Sequence, residues 1–426
     1  MRQKVLEFIK TRTSIDILIN SVGNFLNVFF TALLALIMVR VMTPVEYGIL
    51  SVLLGVIYVM TNILDFGVTA NIYSSLPNLI GKNREETFRF LKSNFFYQTG
   101  LSIIILILLF IFFPYLDRSF LKTGESRFVL NLSAISIIFL IWKNFITNVL
   151  LASKKILQIN ILNNLANLAI TIVLIALVYL NAVTITSMIF LFAVFGPIIF
   201  FLLLIPGKKD YLKLLIKVKI NKKDFKFKYS FTYFLSTQIL NLGSRMDLFM
   251  LSFYGLKMGV GLYGLSQKIM LTILTTVASI TQVLSPDYAK ARTQKDALQI
   301  MKTSFIYLMI PVGIYLLLVV TPNKLFSIIF TNQYAETALI TKSLVLPYIL
   351  FTLSYVPFLF LLYVARKPIF SLLSNSAYLI GMTLGCYLLI PKLGVYAPAY
   401  VFTGSAIIAI LILIITSTKE YEKLPK

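Results

Sequence analysis

The chain has 426 residues, 58% of them hydrophobic and only 13% charged; soluble domains carry about 25% charged side chains, so a water-soluble fold is excluded. A net charge of +23 would suggest nucleic acid in a soluble chain, but in so apolar a sequence the basic residues report membrane topology first, and no nucleic-acid partner is expected. There is no histidine, and the single cysteine, Cys386, lies inside an apolar stretch, which excludes imidazole catalysis, most transition-metal sites and a disulfide framework.

From the N-terminus, residues 1–13 are basic, lack a small-residue cleavage site and precede an apolar run too long for a signal peptide, so they read as the lead into an uncleaved first span. Apolar stretches follow at 15–39, 48–75, 91–113, 128–151, 157–180, 185–205, 229–254, 259–284, 303–321, 338–363, 369–390 and 395–416. Each can cross a hydrocarbon core of about 30 Å as a helix, the form in which an isolated segment satisfies its own backbone in lipid. A transmembrane barrel needs alternating polarity, which runs such as Ile103–Phe113 lack. The predicted fold class is therefore all-α integral membrane, with 12 transmembrane helices.

The one sizeable loop, 206–228, carries nine lysines against Asp210 and Asp224 and divides the chain into an N-terminal six-helix lobe (1–205), a basic linker and a C-terminal six-helix lobe (229–426). Lys and Arg number 28 on the side of the two tails and this loop, and 8 on the other, which places both termini in the cytoplasm. The halves look like repeats. Tyr47-Gly48 and Tyr263-Gly264 recur at an offset of 216, Ala152 and Ala365 open similar basic turns at an offset of 213, and Asn24 and Asn163 correspond to Asn241 and Asn375. Such repeats share one orientation and are related by an axis along the membrane normal, with a substrate site between them.

Several spans have a polar face at helical spacing: Asn20, Asn24, Asn27 and Thr31 on the first; Thr61, Asp65 and Thr69 on the second; Asn160, Asn163, Asn164, Asn167 and Thr171 on the fifth; Gln238, Asn241 and Arg245 on the seventh; Lys268, Thr272, Thr275, Ser279 and Gln282 on the eighth. The fifth stripe suits interhelical hydrogen bonds; the first, seventh and eighth suit a cavity. Three cations lie inside spans, Lys143, Arg245 and Lys268. A cation at the bilayer centre costs roughly 2.5–3.5 kcal/mol, so it should face protein or water, and an anionic cargo is the reason to keep it. Lys143, beside Trp142, equally suits a partner for a carboxylate or a helix dipole. The acids inside spans are Asp65 and Asp247, each suited to a proton or sodium site or to holding a basic residue in place. Asp247 lies two residues from Arg245, about 200° round a helix, so the two are not expected to pair along one face. No enzyme motif stands out: there is no P-loop, no Gly-x-Ser-x-Gly and no large outer loop bearing paired acids.

Four stretches together resemble a known family. Arg40-Val-Met-Thr-Pro-Val-Glu-Tyr-Gly resembles the Arg-x-Leu-x-Pro-x-x-Tyr-Gly stretch of Wzx-type polysaccharide flippases, as do Asp65-Phe-Gly, Asp247 followed by Gly261-Leu-Tyr-Gly264, and Leu389-Ile-Pro-Lys-Leu-Gly-Val-Tyr-Ala-Pro398. The resemblance spans essentially the whole chain; Ala397-Pro-Ala stands where the family usually has Gly-Ala-Ala. It implies a MATE-like fold with two lobes forming a V, the first, second, seventh and eighth helices lining a cavity, in the bacterial cytoplasmic membrane. It implies alternating access carrying an undecaprenyl-diphosphate-linked oligosaccharide (an O-antigen, capsule or exopolysaccharide unit) to the outer leaflet, with membrane lipids, a polysaccharide polymerase and chain-length machinery as partners. The residues fit that cargo: Arg245, Lys268 and Lys143 would hold the diphosphate, Asn24, Asn27, Gln238 and Asn241 would face sugar, and Asp65 or Asp247 would couple to H+ or Na+, with no cofactor or metal. The rivals are a drug or metabolite antiporter of the same fold, whose cavity should favour acids, and a membrane polysaccharide polymerase or ligase, which needs a large outer loop.

Overall fold

The computed structural model describes residues 12–80, 84–205, 218–221, 224 and 231–425, and of their side chains all but those of 12–22, 24, 233, 282 and 286. Most of the expected linker thus lies outside the described residues. In chain order the helices are α1 (Arg12–Val41), α2 (Pro44–Ile63), α3 (Val68–Leu79), α4 (Arg84–Leu116), α5 (Arg127–Ala152), α6 (Ile156–Tyr179), α7 (Ile185–Leu204), α8 (Phe231–Gly243), α9 (Met246–Phe253), α10 (Lys257–Lys290), α11 (Gln294–Val320), α12 (Asn323–Phe330), α13 (Thr337–Leu359), α14 (Pro368–Leu393) and α15 (Ala397–Tyr421). The described residues contain no strand. Nine helical stretches among them are long and apolar enough to cross a membrane, counting Pro368–Tyr421, where the turn Gly394–Tyr396 joins α14 to α15, as one. In α1 the stretch whose side chains are all described, Phe25–Val41, is apolar.

Two of the expected spans are each broken in two. The second breaks at 64–67, where Phe66 and Gly67 take left-handed φ values of 50° and 77°. The seventh breaks at Ser244–Arg245, between α8 and α9. Three wide helical turns, Asp117–Leu121, Phe190–Phe195 and Phe360–Val364, each lie beside a proline, Pro114, Pro197 and Pro357. Proline removes one i→i−4 bond, and a local widening of the helix absorbs the loss.

The chain forms two compact units, one from the described residues of Met1–Val41, Val56–Pro114 and Glu125–Phe231, the other from Met42–Gly55, Tyr115–Gly124 and Thr232–Lys426. The first is packed inside out relative to a soluble protein. On α4, Asn94, Gln98 and Ser102 follow one another at four-residue spacing and are buried, while Ile103, Ile104, Ile107, Leu108 and Ile111 are exposed. In lipid that arrangement is favourable, because tails accept the apolar face and the amides find partners inside. Apolar clusters complete the interior: Val68, Ile72, Leu76, Phe90 and Phe145 join α3, α4 and α5, and Leu162, Ala166 and Phe200 join α6 and α7.

In the second unit, Leu284, Tyr288, Ala297, Phe360 and Leu413 form one core, and the rings of Tyr348 and Tyr378 each meet Phe402 edge to face, with centres 5.2 and 5.6 Å apart. The repeated Tyr-Gly pairs acquire a physical reason here. The start of α2 crosses the start of α10 so closely that a Cβ on Gly261 would overlap the Pro44 carbonyl, and one on Gly264 would stand 3.0 Å from Ser51 Oγ. Tyr334 OH donates to Met42 O at 3.1 Å, and Lys257 Nζ donates to Thr123 O at 2.8 Å, holding both inserted segments in this unit. The other repeated turns also match: Lys154 and Arg366 both have φ of 55°, at an offset of 212 rather than the 213 of the sequence pattern.

Candidate functional site

In the first unit, the broken second span builds a polar chain. The break frees the Leu64 carbonyl, which accepts from Gln98 Nε2 at 3.3 Å and Ser102 Oγ at 3.4 Å. Asp65, two residues before the N-cap Gly67, then satisfies the first turn of α3: its Oδ1 accepts from Thr69 N at 3.2 Å and Thr69 Oγ1 at 2.6 Å. Asn148 of α5 donates to Thr69 Oγ1 at 2.8 Å and accepts from Tyr73 OH at 3.2 Å, so hydrogen bonds run from Asp65 to an exposed phenol. Sequence reasoning missed Asn148 and Tyr73, although Asp65, Thr69 and Tyr73 stand at four-residue spacing. Asp65 has no ion pair among the described residues. Capping predicts that Asp65→Ala lowers thermal stability by about 1 kcal/mol while Asp65→Asn, an equally good cap, does not. Equal melting of the two variants would remove the capping role, and loss of activity in the stable Asn variant would mark the carboxylate as titrating.

Lys143, half-buried on α5, places its Nζ 5.5 Å from the Phe200 ring centre, a cation–π contact, and pairs with no carboxylate among the described residues. The amide stripes of α1 and α6 meet each other: Asn167 Nδ2 donates to Asn27 Oδ1 at 2.7 Å and Asn164 Nδ2 to Gly23 O at 3.2 Å. The α6 stripe thus makes interhelical bonds as expected, and it engages Asn27, which remains exposed. The side chain of Asn24 lies outside the described ones.

In the second unit Arg245 and Asp247 form no ion pair, as expected, but the reason is not the one a continuous helix would give. The 200° separation holds only for a continuous helix, and the chain leaves the helix at Ser244–Arg245. Gln267 of α10 fills the gap. Its Oε1 accepts from Arg245 Nη1 at 2.9 Å, and its Nε2 donates to Asp247 Oδ2 at 2.6 Å and to the freed Ser244 carbonyl at 3.2 Å. Tyr263, one turn before Gln267 on α10, donates to the same Asp247 oxygen at 2.9 Å, and Asp247 Oδ1 accepts from Leu248 N at 2.7 Å. Asp247, Tyr263 and Gln267 are buried, at 2%, 0% and 3% exposure. Neither buried acid therefore forms the salt bridge the sequence allowed, and amide and phenol donors satisfy Asp247 instead. Gln267 was not anticipated; its position four residues after Tyr263 is the signal that could have found it.

The next residue, Lys268, is exposed and lies within electrostatic reach of Arg245. Neither forms an ion pair with an acid among the described residues. Gln238 and Asn241, one turn apart on α8 and half-buried, are bonded to each other, Asn241 Nδ2 to Gln238 Oε1 at 3.2 Å. The structure thus brings Arg245, Lys268 and Asp247 into one neighbourhood, with Gln267 between them. Among the described residues no cluster of three or more potential His, Cys, Asp or Glu ligands could hold a metal.

Solved structures share this architecture. The lipid II flippase MurJ in an inward closed conformation superposes with a TM-score of 0.71 at 16% identity, covering 95% of this chain and 89% of that one. An inward-facing multidrug resistance MATE family transporter of the MOP superfamily gives 0.67 at 14%, covering 96% and 99%. A MOP superfamily transporter from Pyrococcus furiosus, whose binding pocket is described as having reverse polarity, gives 0.59 at 11%, covering 96% and 95%. These likenesses establish the fold. No curated protein matches the sequence. A family profile described as "Polysaccharide biosynthesis protein" matches residues 15–292. The chain is a multi-pass membrane protein with the MurJ- and MATE-like fold, and it belongs to the polysaccharide biosynthesis protein family.

Proposed function

We propose that this protein is a flippase for an undecaprenyl-diphosphate-linked oligosaccharide, moving it from the cytoplasmic to the outer leaflet of a bacterial cytoplasmic membrane by alternating access of the lobes 1–205 and 229–426. The observation that carries the reading is the pairing of Arg245 with Lys268: two neighbouring cations without an acid in ion-pair contact among the described residues, one of them exposed. Two such charges repel unless an anion joins them, and a diphosphate supplies the oxygens for charge-assisted bonds. A cationic cargo would find the opposite, since Asp247, the acid nearest them, is buried and its oxygens are occupied by Gln267, Tyr263 and Leu248. Lys143 is a third cation, in the first unit, and exposed Asn27 and half-buried Gln238 and Asn241 offer amides to sugar hydroxyls. The termini lie in the cytoplasm on the charge distribution, and H+ or Na+ coupling falls to Asp65 or Asp247. Replacing Arg245 and Lys268 together by Gln, at unchanged membrane level, is expected to abolish flipping in a complementation assay for surface polysaccharide. Full complementation would remove both residues from the cargo site.

A further inference from the structure

Asp224, in the stretch between α7 and α8, is bound by side chains of α3 and α4. Residues 217–228 hold six lysines and one acid, Asp224. Four side chains of α3 and α4 converge on that residue. Asp224 Oδ2 accepts from Arg89 Nε at 3.1 Å and from Ser93 Oγ at 3.4 Å. The Asp224 carbonyl accepts from Asn71 Nδ2 at 2.9 Å and Asn94 Nδ2 at 3.2 Å. Asn71, Ser93 and Asn94 are buried, at 4%, 0% and 0% exposure. Nearby, Lys92 Nζ donates to Val218 O at 2.8 Å, Ser93 Oγ accepts from Asn221 N at 2.9 Å, and Glu86 Oε1 lies 3.6 Å from Arg89 Nη2.

The chemistry of this cluster is that of an anion site. Arg89, Lys92 and Ser93 stand at i, i+3 and i+4 on one face of α4, and the two carboxamides present N–H groups from beside them. A guanidinium, an ammonium, a hydroxyl and two amides are the donors that phosphate oxygens use, and the planar guanidinium engages two at once. Arg89 and Lys92 are like charges one turn apart on α4, and an anion beside them relieves their repulsion. Asp224 is that anion, but its carboxylate engages only Arg89 and Ser93, and the amides take its backbone carbonyl.

We propose that the Arg89–Ser93–Asn71–Asn94 cluster is a binding site for a lipid-borne diphosphate, that Asp224 occupies it as an internal stand-in, and that the two compete. This rests on the reading that the cargo is a diphosphate lipid loaded from the cytoplasmic leaflet, to which Arg89 belongs by the loop charges. A diphosphate offers more anionic oxygens than a carboxylate and can engage the four donors together with Lys92. Its arrival displaces Asp224.

The test uses the full chain in phosphatidylcholine nanodiscs, with undecaprenyl diphosphate as probe and native mass spectrometry as readout. Asp224→Asn removes the competing charge and its ion pair with Arg89, leaving only the weaker hold of Asn71 and Asn94 on the backbone carbonyl. Binding should tighten about 5–10-fold, the gain expected when a site blocked most of the time becomes free. Adding Arg89→Gln, or Ser93→Ala as a milder second variant, should erase the gain. Unchanged or weaker binding in Asp224→Asn would overturn the proposal and leave Asp224 as a tether alone. An equal gain for phosphatidylglycerol would reassign the site to bulk headgroups and overturn the diphosphate. The same pair of measurements in the Arg245→Gln/Lys268→Gln background separates the two readings: an Arg89-dependent gain that persists there supports this site whether or not that variant still flips.

Discussion

Replacing Gln267 by Leu is expected to destabilise the protein by about 2–4 kcal/mol, the cost of leaving a buried charged group short of donors. Gln267 makes three bonds that no neighbour can replace: one to Asp247, one to the Ser244 carbonyl at the helix break, and one accepted from Arg245. Leu matches its bulk but supplies none of them, and Asp247 keeps only Tyr263 and Leu248 N as donors. Gln267→Glu should fare as badly for a different reason: it preserves an acceptor for Arg245 but sets a second carboxylate against Asp247. Thermal unfolding of the purified variants in detergent measures both. A Gln267→Leu protein that melts with the wild type would show that the network contributes nothing to stability. Pairing Gln267→Leu with Asp247→Leu removes donor and acceptor together and should recover a large part of the loss, because replacing both partners by apolar groups is far cheaper than orphaning one.

Replacing Gly261 by Val is expected to cost about 3 kcal/mol or more, at the upper end of overpacking penalties. The obstacle is the Pro44 carbonyl, backbone rather than a side chain that could swing away, and a Cβ at 261 would overlap it. The neighbouring crossing offers no slack either: a Cβ on Gly48 would lie 2.5 Å from the Lys257 carbonyl and 2.8 Å from Gly261 N. The added volume must therefore separate the starts of α2 and α10, and it strains the Tyr334–Met42 bond that lies on the same inserted segment. Gly404→Val is the control, since nothing lies within 4 Å of a Cβ there. Expression and melting temperature should fall for Gly261→Val and hold for Gly404→Val; matched stabilities would show that the crossing can open without cost.

Helical character and approximate limits were legible because long apolar runs have one solution in lipid. The α5 and α6 limits agree with the expected spans 128–151 and 157–180 to within one residue. The breaks at 64–67 and 244–245 were not legible, because hydropathy does not distinguish a continuous helix from one interrupted where another helix supplies partners. Asp65-Phe-Gly carried a local clue, a capping acid followed by a glycine able to take positive φ. The other break has no such signature in Ser244-Arg245, since Gln267, the residue that satisfies it, lies on a different helix. Arg245 and Lys268 stood out by cost alone, as cations inside apolar runs. Gln267 did not, because an amide beside a lysine is unremarkable until its two ends are seen to serve an acid and a base. The contact made by Asp224 was hidden for a similar reason: nine lysines drew attention to charge, whereas the residue that α3 and α4 engage is an acid.

The interrupted seventh span bears on how the chain is made. α8 has 13 residues and α9 has 8, lengths of about 20 Å and 12 Å at 1.5 Å per residue, and neither covers a bilayer core of about 30 Å alone. When residues 231–253 leave the ribosome, Gln267 is still inside the exit tunnel, and nothing within reach can satisfy the Ser244 carbonyl except the helix itself. The run is therefore expected to enter the membrane as one continuous helix and to break once α10 has arrived beside it. A step of tertiary folding then follows insertion, and it is the docking of α10 that triggers it.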